Sequence, residues 1–212
     1  MSDATRLRYH IGTVTNTVFA EMYRRPATAA GGSLLAAELL RQGGCVFNPG
    51  GGTHHGMPDR ANGFCYLNDP VLAMLAMRRQ GLERIAYVDI DAHHCDGVEA
   101  AFSGQEGMLL ISTHEERRWP FTGALTDRAG GVSLNIPLPK GTNDSEFEAI
   151  LTRNFACGGA PPARGDCLAM RRRRRSRRPA VAACSVQHGA LVCCFGIEND
   201  DAKAVGAGWR RL

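Results

Sequence analysis

Residues 84–97 read Arg84-Ile85-Ala86-Tyr87-Val88-Asp89-Ile90-Asp91-Ala92-His93-His94-Cys95-Asp96-Gly97. After Arg84 the stretch is a mostly apolar run of strand length, and it ends in three aspartates, two histidines and a cysteine. An apolar run without alternation is typical of a strand that is buried on both faces at the centre of a parallel sheet. Open α/β sheets place their ligand sites at the carboxyl ends of such strands. We therefore predict a buried central strand with a functional site where it ends.

Helices and strands are predicted to alternate on both sides of this strand. Asn68-Asp69-Pro70 is a polar cap followed by proline, which predicts a helix start, and Gly43-Gly44 predicts a helix end. The predicted helices cover residues 28–41, 68–80, 98–102 and 144–155, and the predicted strands cover 45–47, 84–90, 108–113 and 132–138. On the first helix we expect the apolar side to consist of Leu34, Leu35, Leu39 and Leu40. This alternation predicts an α/β fold in layers.

Composition limits the kind of protein this is. With 212 residues, of which 44% are hydrophobic, the chain can form one domain of ordinary size with a real core. No apolar run approaches bilayer-spanning length, and residues 1–10 lack the apolar stretch of a secretory signal. The eight cysteines include no CxxC pair, which favours reduced thiols over a disulfide framework. We therefore expect a cytoplasmic protein without membrane partners.

The chain divides near residue 155. Residues 1–155 carry the alternating elements, whereas 156–212 is rich in Arg, Ala, Gly and Cys without a sustained period. Seven arginines lie between Arg171 and Arg178, and leaving them out of the net charge of +4 gives −3. We expect this tail to be poorly ordered. We expect nucleic-acid binding only as nonspecific contact between these arginines and phosphates.

A second histidine cluster, Gly51-Gly52-Thr53-His54-His55-Gly56, precedes the first along the chain. Asp91 and His93 are two residues apart, so on an extended segment their side chains point to one face, as two ligands of one metal ion must. Asp89 shares that face. With His54 and His55 brought in from the other loop, the residues allow a metal-bound water beside imidazoles that accept its proton. A single His or Asp here would more often be a satisfied loop residue, and it is the clustering that favours a metal hydrolase site.

Several ordered motifs share a resemblance to one family. They are Gly51-Gly52-Thr53-His54-His55, Gly63-Phe64-Cys65-Tyr66-Leu67-Asn68-Asp69, Tyr87 to Phe102, Ile111-Ser112-Thr113-His114, Trp119-Pro120-Phe121-Thr122-Gly123 and Asn135-Ile136-Pro137-Leu138. In order and spacing they resemble the histone deacetylase family, most of all the bacterial members that include acetoin-utilisation and polyamine deacetylases. The resemblance covers about residues 10–154. It implies a three-layer α/β/α fold of the arginase/deacetylase type with a mainly parallel sheet.

The resemblance also implies roles for the clustered residues. Asp91 and His93 would be zinc ligands, and His54 and His55 would activate water and protonate the leaving lysine amine. Asp89 would orient His54, and Asp96 would orient His55. Such carboxylates fix the tautomer and raise the basicity of their partner, so their loss should reduce activity without emptying the metal site.

Two further sets of residues are implied in the same way. Peptide oxygens around Asp89, Asp91 and His93, together with Ser112 and Thr113, resemble the family's monovalent cation site, which points to K⁺. Gly63 and Phe64 resemble the wall of the narrow channel that admits an acyl-lysine side chain. The implied substrate is an acetylated protein or a small acetyl-amide such as an acetylated polyamine.

The chain departs from the family pattern at two places. Cys95 stands where the family usually has glycine, which predicts a small backbone distortion, with a thiol that either fits the loop or adds a soft metal ligand. The tail lacks the segment with the third zinc ligand, an aspartate, and the later loop with a tyrosine that polarises the substrate carbonyl. Because catalytic zinc sites normally use three protein ligands, the fold and the site are expected to be incomplete on the C-terminal side.

A frameshift would explain the tail. With synonymous codons and a shift of one base, Asp166 to Arg173 can encode Ile-Val-Leu-Gln-Cys-Gly-Ala-Asp, which resembles the missing segment. We therefore interpret 156–212 as an out-of-frame product of a frameshift near residues 155–163. Two functions remain open. One is a zinc-dependent hydrolase of acyl-amide bonds, and the other is an inactive truncated remnant whose basic tail binds polyanions nonspecifically.

Overall fold

The computed structural model describes residues 1–42, 45–156, 182–187 and 190–196, with side chains for 1–42 and 45–151. The helices are α1 (Asp3–Arg8), α2 (Arg24–Leu39), α3 (Asp69–Arg79), α4 (Asp96–Phe102) and α5 (Asp144–Ala156). The strands are β1 (Cys45–Asn48), β2 (Ile85–Asp89), β3 (Met108–Glu115), β4 (Ser133–Leu138), β5 (Ala182–Gln187) and β6 (Ala190–Gly196). Short 3₁₀ turns follow α2 at Leu40–Gln42 and precede β4 at Ala129–Gly131. None of the helices in the described ranges has the length and apolar character needed to cross a lipid bilayer.

The six strands form one sheet in the order β1-β5-β6-β2-β3-β4. β2, β3 and β4 run parallel to one another, and β5 runs parallel to β1. β6 is antiparallel to both of its neighbours, β5 and β2. The sheet is therefore mainly parallel, and β2 lies inside it with four of its five residues buried. This confirms the predicted α/β fold and the central position of the strand that ends at Asp89.

Of the tail, the structure describes Ala156 at the end of α5 and the strands β5 and β6. No regular element is predicted there, because the apolar residues show no sustained period, so these two strands are an addition to the predicted fold. They lie between β1 and β2 in the sheet. The block from Arg171 to Arg178, and the predicted poor order of the remaining tail, fall outside the described residues.

The core lies between β2, β3 and the helices α2, α3 and α4. Its largest fully buried side chains include Tyr87, Phe102, Met74, Met77 and Met108. Cys95 and Val98 join this cluster from the start of α4. Because the same cluster packs against both β2 and α4, it fixes the position of the loop that joins them.

The predicted apolar side of the first helix is wrong for three of its four leucines. Leu34, Leu35 and Leu39 are 37%, 54% and 50% exposed, and only Leu40 is buried. The buried positions on α2 are Ala30, Ser33, Ala36 and Ala37. Small side chains allow α2 to pack closely against α3, so the face with the least bulk, rather than the most apolar one, is turned inward.

Candidate active site

The predicted site residues meet where β2 ends. Asp89 is the last residue of β2 and is fully buried, and the loop that carries His54 and His55 lies against it. Both histidines are almost completely buried, at 3% and 6% exposure. Asp96 begins α4 and lies on the other side of the pair. The structure therefore brings together four residues that are up to 42 positions apart in the chain.

These four side chains form a linear chain of hydrogen bonds. Nδ1 of His54 lies 2.6 Å from Oδ2 of Asp89, and Nδ1 of His55 lies 2.6 Å from Oδ1 of Asp96. The two Nε2 atoms lie 3.0 Å apart. A carboxylate only accepts hydrogen bonds, so both Nδ1 atoms carry a proton and donate it outward. Contact between the two Nε2 atoms then requires that one of them donates to the other.

The electrostatic environment distinguishes the two imidazoles. Burial by itself would lower the pKa of His54, but the charge of Asp89 and the hydrogen bond to it outweigh burial, and the pKa is raised. Burial lowers the pKa of His55; the hydrogen bond to Asp96 opposes this, and the neighbouring His54 adds to it. Of the two Nε2 atoms, that of His54 is therefore the donor and that of His55 the acceptor.

Each of the two carboxylates is itself held in place. The hydroxyl of Tyr87 donates to Oδ2 of Asp89 at 2.6 Å, and the backbone N–H of Asp91 donates to Oδ1 at 2.9 Å. Burial would raise the pKa of Asp89, but the charge of His54 and these hydrogen bonds lower it. Nδ2 of Asn62 donates to Oδ2 of Asp96 at 2.9 Å. Tyr87 and Asn62 are site residues missing from the sequence prediction, although Tyr87 stands two before Asp89 and so shares its face of the strand.

The predicted zinc ligands Asp91 and His93 lie beside one another. Nδ1 of His93 is 2.8 Å from Oδ1 of Asp91, and the backbone N–H of His93 donates to the same oxygen at 2.8 Å. Their side chains are 13% and 37% exposed, so both are accessible at the edge of the buried pair. The ring centroids of His55 and His93 are 5.8 Å apart. At 2.8 Å the nitrogen and the oxygen are hydrogen-bonded to each other, so this contact must open for both atoms to bind one ion.

The donor set is nevertheless one residue short for a catalytic zinc ion. Such sites use three protein ligands and leave a fourth position for water. Across the described residues, no group of three or more His, Cys, Asp or Glu side chains is arranged to hold a metal ion. The described residues therefore supply two donors toward a zinc site and do not complete it.

The predicted monovalent cation residues are neighbours in the sheet. Asp89 pairs with Ser112 across β2 and β3, and the hydroxyl of Thr113 donates to the backbone oxygen of Asp89 at 3.3 Å. Both hydroxyl residues are 1% exposed. Asp89, Ser112 and Thr113 are thus neighbours, and K⁺ binding stays a prediction.

Trp119 lies beside Gly63, which together with Phe64 is predicted to form the wall of the substrate channel. The ring of Trp119 packs edge-on against His55, with 4.6 Å between the centroids. A Cβ at Gly63 would collide with this indole and would lie 2.8 Å from Cδ2 of His55. Both Gly63 and Phe64 have positive φ, and Phe64 is 71% exposed. Trp119 belongs to one of the family-like motifs, but the sequence analysis assigns it no role. Its place in that motif is the signal that could have identified it.

His94, the second member of its histidine pair, has a separate set of partners. Its Nδ1 lies 2.8 Å from the hydroxyl of Thr122 and its Nε2 lies 3.3 Å from Oε2 of Glu99. Ser133 and Asn135 donate to the same Glu99 oxygen at 2.6 Å and 2.8 Å. Both ring nitrogens of His94 are occupied, so it braces the loop that carries Trp119 instead of facing the paired histidines.

Cys95 has φ −80° and ψ 56°, so it does not occupy the left-handed region that favours glycine. The small backbone distortion stays a prediction. The side chain is fully buried in the core cluster, which accounts for a thiol where a glycine was expected.

Burial also predicts that Cys95 is unreactive. It raises the pKa of this thiol well above the ordinary value of 9.0, so thiolate is nearly absent at pH 8. We expect brief alkylation of the native protein, read by peptide mass mapping, to label the exposed Cys45 and to leave Cys95 unmodified. Labelling of Cys95 at the same rate as Cys45 would contradict the buried position.

Comparisons with known proteins show the family of this chain. The model of the histone deacetylase domain matches residues 2–157. The acetoin utilization protein AcuC of Bacillus subtilis (strain 168) is 37% identical over 147 residues, which are 66% of this chain and 38% of that protein. Histone deacetylase 19 of Arabidopsis thaliana is 41% identical over 140 residues, which are 63% of this chain and 28% of that protein.

A solved structure shows the same relationship in three dimensions. The crystal structure of an HDAC homolog from Aquifex aeolicus superimposes with a TM-score of 0.68 at 40% sequence identity, covering 72% of this chain and 43% of that chain. The chain thus spans less than half the length of these relatives. Its α/β fold is of the arginase/deacetylase type, and the chain belongs to the histone deacetylase family.

Proposed function

We propose that this chain carries the proton-transfer half of a deacetylase-like hydrolase that cleaves acyl-amide bonds. The substrate class is an acetyl-lysine side chain, or an acetylated polyamine or similar small amide. The observation that carries the proposal is the buried hydrogen-bonded chain from Asp89 through His54 and His55 to Asp96. A chain of this kind, buried next to an accessible Asp91 and His93, is suited to moving protons at that edge.

The two histidines have different roles in this proposal. His55 takes a proton from water that approaches from the side of His93, once its Nε2 has left the contact with His54. His54, whose Nε2–H is freed by the same opening, provides the proton that the leaving amine needs. Asp89 and Asp96 keep both imidazoles in the tautomer whose Nε2 faces the reaction. Trp119 and Phe64 flank the approach and keep bulk water away from the pair.

Zinc is the metal we propose for Asp91 and His93, where it would lower the pKa of a bound water and polarise the acyl oxygen. A third donor is required that the described residues do not supply. For that reason the second candidate function stays open: an inactive remnant, in which the histidine pair is intact but no metal is held firmly. In that case the arginines between Arg171 and Arg178 would give salt-sensitive, nonspecific binding to polyanions.

One experiment separates the two functions. The purified full chain is analysed for zinc by mass spectrometry and assayed with an acetyl-lysine peptide and an N-acetylated polyamine, as wild type and as His55→Ala. A hydrolase predicts about one zinc per chain and deacetylation of one substrate, reduced about a hundredfold or more in His55→Ala. His10→Asn is the control, because His10 is exposed and outside the site, and it should behave as wild type. Zinc at background level together with no acetate release would overturn the hydrolase and favour the remnant.

A further inference from the structure

The start of α3 lies against the loop that carries His54 and His55. Asp69, in the first turn of α3, is 1% exposed, although it is an acidic residue. Its two oxygens accept hydrogen bonds from the backbone N–H groups of Gly52 and Thr53 at 2.9 and 2.8 Å, and from the Thr53 hydroxyl at 2.6 Å. The hydroxyl of Ser33 on α2 donates to it as well. All of these partners are donors, and three of the four belong to the loop just before His54.

Asn68, the residue before it, holds the other side of the same loop. Its Nδ2 donates to the backbone oxygen of His54 at 3.1 Å and to that of Gly56 at 2.9 Å. Its Oδ1 meanwhile accepts from the N–H of Val71 at 3.1 Å and caps α3. One side chain thus begins the helix and binds two carbonyl groups that flank His55.

The loop packs closely against the start of α3. A Cβ at Gly51 would lie 2.5 Å from Oδ2 of Asp69, and a Cβ at Gly56 would lie 3.1 Å from the backbone nitrogen of Asn68. Both glycines therefore allow a close approach that a side chain would prevent. The backbone just before His54 is held through its N–H groups, and the backbone on both sides of His55 is held through its carbonyl groups.

We propose that Asn68 and Asp69 are positioning residues, which hold the backbone on both sides of His54 and His55 so that the two Nε2 atoms meet. Neither residue touches the reacting groups. The expected effect on the reaction rate rests on the proposed function, whereas the expected effect on the position of the two histidines does not. The alternative is that Asn68 is only a helix cap and Asp69 only a satisfied buried acid.

Substitutions at Asn68 separate clamping from capping. In Asn68→Ser the hydroxyl still caps α3, but it is too short to donate to both carbonyl groups. Asn68→Asp also keeps the cap, but it replaces the donor by an acceptor. Asn143→Ser is a matched control, because Asn143 accepts from the N–H of Glu146 at 3.1 Å and caps α5 in the same way, outside the site.

The readouts are the kinetic constants and the histidine N–H resonances. We expect Asn68→Ser and Asn68→Asp to lower kcat at least about tenfold with KM changed less than about twofold, because misplaced groups reduce rate more than binding. In the proton spectrum of the chain labelled with ¹⁵N-histidine, the two Nδ1–H signals hydrogen-bonded to Asp89 and Asp96 should broaden or shift upfield. Asn143→Ser should change neither readout.

The spectrum keeps the inference testable if the wild-type chain has no activity. In that case the proposed hydrolase fails, while a loss of the two resonances in the Asn68 variants still supports the clamp. If both Asn68 variants fold and retain the wild-type resonances, the positioning role is wrong, whatever the activity. Asp69→Asn, which exchanges one accepting oxygen for a donor of equal size, provides a third variant should the Asn68 variants not fold.

Discussion

Replacing Gly97 by alanine is expected to reduce the proposed deacetylase activity about a hundredfold, with a loss of stability of about 1–3 kcal/mol. Gly97 is buried in the first turn of α4, and its backbone faces the loop of the histidine pair. A Cβ there would lie 2.5 Å from the carbonyl oxygen of Gly56 and 2.6 Å from that of His54. Both contacts are with backbone, which cannot rotate away as a flexible side chain could. The loop must therefore move, and His54 and His55 move with it.

Activity and thermal unfolding of Gly97→Ala test this result directly. Gly31→Ala is the matched control, since Gly31 is an exposed glycine inside α2 with no atom within 4 Å of an added Cβ. The same substitution there should leave activity unchanged and stabilise the helix by up to about 1 kcal/mol. Equal activity of Gly97→Ala and wild type would show that α4 does not support the loop as described. If the wild type proves inactive, the stability difference between the two alanine variants still tests the contact.

Glu99→Gln is expected to destabilise the protein by about 2 kcal/mol at neutral pH. Burial would raise the pKa of Glu99, but hydrogen bonds from His94, Ser133 and Asn135 outweigh it and lower the pKa from 4.5 to about 2. A carboxyl group whose pKa is lower in the folded state stabilises that state at pH values above its unfolded pKa. The magnitude is reduced below the full shift because this carboxylate keeps some contact with solvent. The stabilisation is lost as the pH falls from about 4.5 to about 2.

Denaturant unfolding between pH 7 and pH 2 measures this dependence. The free-energy difference between wild type and Glu99→Gln should be greatest above pH 5 and should shrink toward pH 2. Glu106→Gln, at an exposed position, should follow the wild-type curve throughout. A Glu99→Gln difference that is independent of pH would mean that packing, and not charge, accounts for the loss.

Local patterns predict the elements around the site well. The helix predicted over 68–80 is observed as Asp69–Arg79, because the Asn68 cap and Pro70 at its first turn are local signals. The strand predicted over 84–90 is observed as Ile85–Asp89, because a short apolar run rich in β-branched and aromatic residues favours a strand. The inward face of α2 is not predicted, since it depends on how closely α3 approaches. β5 and β6 are not predicted either, because their segment has no period of its own.

The amino-acid sequence by itself determined the chemistry available to this protein. Paired histidines, the aspartates that end β2 and the motif order were sufficient to indicate the family and to name the histidines and carboxylates of the candidate site. Only the tertiary structure decided how these groups are connected: Tyr87 against Asp89, Asn62 against Asp96, Trp119 against His55, and Nε2 of His54 against Nε2 of His55. The physical reason is that spacing along an element sets only which side a residue faces. Distances between loops are set by sheet register, by the close backbone contact at Gly97 and by the hydrogen bonds of Asn68 and Asp69.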